Sequence, residues 1–188
     1  NSSLIKNLLN IIDKFTKLHI KNQIDNGATL IQIFDSWAGL LKDDFFTNDL
    51  LINETLKILE KFLKIHIKNQ INNGADTIQI FDSWAGLVNE KNLNEYIYKP
   101  TKKLVNFSKS LKTPCICFPR NIKNYKEYTK IIKPDVISID YHINPYEILK
   151  NIKIPVQGGM DPRVLLSSKR NLEKSTNYYL NAFKNHPY

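Results

Sequence analysis

Two stretches of this chain set a carboxylate, a hydroxyl and an indole in succession behind an apolar run: TLIQIFDSWAGL at 29–40 and DTIQIFDSWAGL at 76–87. A hydroxyl beside free backbone N–H groups at a strand end can grip an anion, and connecting loops are biased towards function. The same string also reads as a capped turn with its tryptophan buried, and the residues alone leave both readings open. Similar clusters follow other apolar runs: Pro119-Arg120 after CICF, Asp140-Tyr141 after VISI, and Gln157 to Asp161 in VQGGMD. The paired glycines of the last cluster allow a close ligand approach or merely a tight turn. Asp161-Pro162 is expected to open a helical segment. Polar groups recurring behind successive apolar runs carry more weight than any one of them.

The elements that would position these groups follow from periodicity and punctuation. Residues 15–40 align with 62–87 at an offset of 47, differing only at 16/63, 18/65, 25/72, 29/76 and 30/77. Each copy reads as a helix followed by a strand. In the second, Leu56, Leu59, Leu63, Ile67 and Ile71 form one apolar stripe. Asn53 is the expected N-cap, and Asn73-Gly74 the left-handed stop. TIQIF then reads as a strand. Helices are expected in KPTKKLVNFSKSLK, KNYKEYTKIIK, NPYEILKNIK and SSKRNLEKSTNYYLNAFK, and strands in TPCICF, DVISID and IPVQGG. Strands alternating with helices predict a parallel sheet, either doubly wound or part of a (β/α)8 barrel. In both, function collects at the carboxyl ends of the strands.

Composition narrows the class. Apolar content of 42% and charged content of 24% are ordinary for a globular domain. No apolar run has the length of a membrane span, so no membrane partner is expected. No secretory leader is evident at the start of the sequence, and Cys115 and Cys117 read as reduced strand thiols. A cytoplasmic location is therefore expected. Their spacing departs from a zinc-binding Cys-x-x-Cys, and no metal site is expected. His19 and His66 read as structural, His142 as a weak strand-end candidate and His186 as a loop residue. The net charge of +9 would suit a polyanion, but its lysines are dispersed and no nucleic-acid partner is expected.

Taken together, QIFDSWAGL, PTKKLVNFSKSLKTPCICFPR, DVISIDY and IPVQGGMDPRVLL resemble, in order and spacing, the uroporphyrinogen decarboxylase family. The resemblance implies a (β/α)8 barrel with a cleft at the strand carboxyl ends, working without metal or organic cofactor. It implies cofactor-independent removal of four acetate carboxyl groups from uroporphyrinogen, giving coproporphyrinogen, with the protonated pyrrole ring as electron sink. It also implies a possible homodimer. The family's substrate-contacting serine corresponds to Ser83 and, by repeat symmetry, to Ser36. Asp82 or Asp35 would orient that loop. Phe118 to Arg120, Asp140, Tyr141, and Gln157, Gly158 and Asp161 correspond to residues lining or supporting the cleft. Gly159 stands where many relatives carry asparagine.

The family's arginine-rich loop, its pyrrole-facing aspartate and its strand bearing a substrate histidine have no counterpart in this sequence. The catalytic residues themselves are thus unassigned. The expectation is a single incomplete barrel domain over 1–188, with repeat copies at about 1–47 and 48–94, inactive alone. The second copy runs into the family-like NEYIYKPTKKLVNF and is assigned the native slot. The first would stack beside it, fill an upstream slot or remain unpaired. Two other functions stay in view: a corrinoid-linked methyltransferase of the same superfamily, and a non-catalytic tetrapyrrole-binding remnant.

Overall fold

The computed structural model describes residues 49–188, residues 30–33, and scattered helical positions between 7 and 25. Five strands form one parallel sheet: β1 (Leu30–Ile33), β2 (Thr77–Asp82), β3 (Cys115–Pro119), β4 (Val136–Ile139) and β5 (Val156–Gly158). Their spatial order is their chain order. Between them run α1 (Asp49–Asn72), α2 (Glu90–Leu93), α3 (Lys99–Ser110), α4 (Tyr125–Ile132) and α5 (Pro145–Asn151), and α6 (Lys169–Ala182) follows β5.

One face of this sheet carries the helices. Cys115, Cys117, Ile137, Ile139 and Val156 alternate along their strands and join one buried cluster. That cluster includes Val105 of α3, Tyr125, Tyr128 and Ile132 of α4, Ile148 of α5 and Tyr179 of α6. A smaller cluster packs Ile67 of α1 against Ile78 and Leu104. A doubly wound sheet would reverse its strand order and cover both faces. Sequential order with helices on one face is instead an arc of a (β/α)8 barrel, the expected fold class. The other face, which a barrel turns inward, carries Gln79, Phe81, Ile116, Phe118, Ser138 and Gln157. The Phe81 and Phe118 rings meet edge to face at 5.4 Å.

The repeat settles into this sheet in register. Leu30 pairs with Thr77, Ile31 with Ile78, Gln32 with Gln79 and Ile33 with Ile80. Each pair is separated by the repeat offset of 47. The first copy's strand therefore occupies the slot upstream of β2, one of the three placements expected.

Local chemistry explains most element ends. Asn124 accepts from the Glu127 amide at 2.9 Å and donates to its carboxylate, a reciprocal cap on α4. Asn144 and Ser168 cap α5 and α6. Gly74, with φ of 100°, turns the chain out of α1. One expectation needs correction. Helix α1 begins at Asp49, ahead of the expected Asn53 cap, and the earlier start takes in Ile52, which is 5% exposed. Pro100 lies in the first turn of α3, where proline is favoured. A π-helical turn, Asn94–Tyr98, leads straight into α3. Proline lacks an N–H and crowds the carbonyl four residues back, which the wider π turn accommodates.

Candidate functional site

The carboxyl ends of β2, β3, β4 and β5 are neighbours, because the strands are parallel and sequential. At β2, pleating sends Asp82 to the helix side, where its charge bears on Cys117 and Tyr128. Ser83 follows in the turn after the strand and is half-buried. The Trp84 indole N–H is buried without a hydrogen-bond partner among the described residues. Ala85–Leu87 then forms a short 3-10 turn. Asp35 and Ser36, the equivalents in the first copy, lie outside the described residues.

The ends of β2, β3 and β4 are tied together at Arg120 and Asn121. The Arg120 amide donates to the Asp82 carbonyl at 3.0 Å, and its own carbonyl accepts from Gly86 at 3.0 Å. Asn121 adopts the left-handed conformation, with φ of 60°. Its amide donates to Asp140 Oδ2 at 2.7 Å. The Tyr125 hydroxyl donates to the same oxygen at 3.0 Å and accepts from the Asp140 amide at 3.2 Å. Asp140 is 3% exposed and Tyr125 4%. Burial, reinforced by the Asp140 carboxylate, pushes the Tyr125 phenol far above its ordinary range. Arg120 itself is exposed.

At β5, Gly158 and Gly159 have φ of 81° and 90°. The Gly159 amide donates to the Ile139 carbonyl at 3.1 Å, and its carbonyl accepts from the Tyr179 hydroxyl. A Cβ there would meet the Tyr179 ring at 2.9 Å. Gly159 thus serves a close crossing of strand and helix. Gln157 is exposed on the inward face, in register with Ser138. Asp161 caps the 3-10 turn Pro162–Leu166, accepting from the Arg163 amide at 2.9 Å. The Arg163 guanidinium grips the same carboxylate at 3.0 and 2.6 Å and holds its pKa below the usual carboxylate range. It also lies 5.5 Å from the centre of the Tyr141 ring, a cation–π contact.

The strand-end face therefore presents Ser83, Trp84, Arg120, Tyr141, Gln157, Asp161 and Arg163. Asp82 and Asp140 support it from within. Sequence reading missed Gly86, Asn121, Tyr125 and Arg163. Only Arg163 left a trace, as the cation after an Asp-Pro start. Cys115 and Cys117 are sealed on the helix side, away from these groups. His66 is buried, and the His186 ring lies 2.9 Å from the Ile154 carbonyl. Among the described residues no three His, Cys, Asp or Glu side chains gather around a cation site. No described helix is long and apolar enough to cross a membrane.

This arrangement has relatives. The family model for uroporphyrinogen decarboxylase (URO-D) matches the chain twice, over residues 1–51 and 42–188. The chain belongs to the uroporphyrinogen decarboxylase family. Uroporphyrinogen decarboxylase of Rickettsia rickettsii is 34% identical over 189 residues, covering 98% of this chain and 41% of its own length. The Rickettsia bellii enzyme is 34% identical over 193 residues, with 98% and 42% covered. That of Rickettsia massiliae is 31% identical over 189 residues. The chain spans about two fifths of the length of the curated relatives it matches.

Proposed function

We propose that this chain forms one wall of a uroporphyrinogen-binding cleft, and that the protein to which it contributes decarboxylates the four acetate side chains to give coproporphyrinogen. One observation carries the reading: the four family-like stretches converge on one face, the carboxyl ends of β2 to β5. The ligand is a ring bearing many carboxylates, and the groups gathered there suit it. Ser83 is a donor to a carboxylate. Arg120 supplies an exposed cation, and Arg163, already partnered by Asp161, adds a second basic group beside Tyr141. Departing CO2 leaves electron density on the adjacent carbon, which a protonated pyrrole accepts. The wall's part in this is to hold carboxylates in place and keep water from the ring. Neither step calls on a metal or an organic cofactor.

The test is a fluorescence titration of the purified chain with uroporphyrin I, the oxidised ring with the same carboxylates. Product analysis with uroporphyrinogen runs beside it. Saturable binding lost in Arg120→Ala supports the reading; binding indifferent to Arg120 and Ser83 refutes it. Turnover by the chain alone would overturn the expectation that it is inactive alone. The methyltransferase alternative calls for a zinc site facing the cleft, and the sealed thiols do not supply one.

A further inference from the structure

The Arg120–Asn121 dipeptide is held from both flanking strand ends, those of β2 and β4, by three bonds. The Asp82 carbonyl takes the Arg120 amide, the Gly86 amide takes the Arg120 carbonyl, and Asp140 takes the Asn121 amide. An exposed turn has water to satisfy such groups and needs none of these bonds. Asp140 is the costliest of the three partners, because it commits a carboxylate to a site that is 3% exposed. A tyrosine hydroxyl is committed beside it. Both residues of the dipeptide are exposed, and Arg120 is the one that brings a cation to the strand-end face.

We propose that Asp140 is a positioning residue: acting through the Asn121 amide and the Tyr125 hydroxyl, it fixes the dipeptide so that Arg120 meets a ligand carboxylate, and it does not touch the ligand itself. This rests on the strand-end face being a polycarboxylate site. The sign of its charge supports the assignment. A carboxylate facing a polycarboxylate ring would repel it, whereas one turned inward onto N–H and O–H donors does not. Geometry agrees, since Asp140 Oδ2 already accepts from two donors at 2.7 and 3.0 Å. Asn121 in turn holds a left-handed conformation that few residues other than glycine adopt readily.

The experiment uses the full chain with uroporphyrin I as probe and four variants: Asp140→Asn, Tyr125→Phe, Arg120→Ala and the Asp140→Asn/Arg120→Ala double variant. Asp140→Asn replaces a charge-assisted bond by a neutral one and should weaken probe binding on the order of tenfold. Tyr125→Phe, a milder change, should weaken it about threefold. Asp140→Asn should add nothing in the Arg120→Ala background, because its effect passes through Arg120. Amide exchange at Asn121, read by NMR, should quicken in Asp140→Asn and Tyr125→Phe. Tighter binding in Asp140→Asn would identify a carboxylate facing the ligand, and additive losses in the double variant would identify general loosening. Either overturns the proposal. Unchanged Asn121 exchange overturns the positioning role alone. No binding by the unsubstituted chain overturns the polycarboxylate reading and, with it, the part given to Arg120.

Discussion

A Cβ atom built on Gly86 would stand 2.3 Å from the carbonyl oxygen of Asn121. The loop after β2 and the loop after β3 touch backbone to backbone at this point, and the Gly86 amide meets the Arg120 carbonyl beside it. Glycine is required here for space and not for an unusual φ.

Gly86→Ala should therefore force the two loops apart. The obstacle is backbone, which yields less readily than a side-chain tip. A loss of about 1–3 kcal/mol is expected, with Tm falling roughly 2–4 °C for each kcal/mol at this chain length. Thermal melting followed by circular dichroism checks it. An unchanged Tm would show that the loops are not in contact.

Ser83 and Ser36 should not be equivalent. The second copy leads directly into α2 and α3, and Ser83 follows β2 beside the loop that carries Arg120. Ser83→Ala should weaken uroporphyrin I binding by roughly tenfold, the scale of one hydrogen bond to a charged group. Ser36→Ala should change it less. Equal effects in parallel titrations, or a larger effect at Ser36, would reassign the serine.

The thiols of Cys115 and Cys117 should resist alkylation in the folded chain. Both are fully buried, and Cys117 is pushed well above the ordinary thiol range by its hydrogen bond with Cys115 and by burial. Mass spectrometry after iodoacetamide treatment at pH 8 should find neither labelled, and both labelled once urea is added. Labelling without denaturant would place them elsewhere than on the helix-facing side of β3.

Glu60 should give the chain a small acid-sensitive contribution. Its carboxylate meets Lys103 of α3 at 2.7 Å and Lys64 of α1 at 2.6 Å, and these partners lower its pKa. A carboxyl whose pKa is lower folded than unfolded stabilises the fold above the unfolded value, roughly 4.3. That stabilisation fades as pH falls through the folded value. Both lysines reach solvent, so the contribution should be about 0.5 kcal/mol. Glu60→Gln should lower Tm slightly at pH 7 and leave it unchanged near pH 3. A difference that persists at low pH would assign the effect to packing.

Much of the architecture was readable from local chemistry. The order of strands and helices follows from apolar periodicity, and Asn144-Pro145, Ser168 and Asn73-Gly74 mark element ends where capping and turn rules place them. The correction arises where tertiary packing outweighs local preference: burial of Ile52 accompanies a start of α1 ahead of a good cap. The candidate site was readable only in part. Strand ends drew attention to Arg120, Asp140, Tyr141 and Asp161 because polar residues behind apolar runs stand out. Nothing in one dimension separates an aspartate that faces a ligand from one that faces Asn121 and Tyr125. That distinction depends on contacts across 15 and 19 residues of chain.

The in-register pairing of β1 with β2 has a consequence for how such a chain tolerates being lengthened. A complete helix–strand unit advances the sheet by one position, as a screw advances by one full turn, and brings the chain back to an equivalent point with its direction unchanged. Everything downstream meets the same neighbour it would have met without the extra turn: Ile78 beside Cys115, Ile80 beside Cys117. The disturbance passes entirely to the upstream end, where one more strand must be housed.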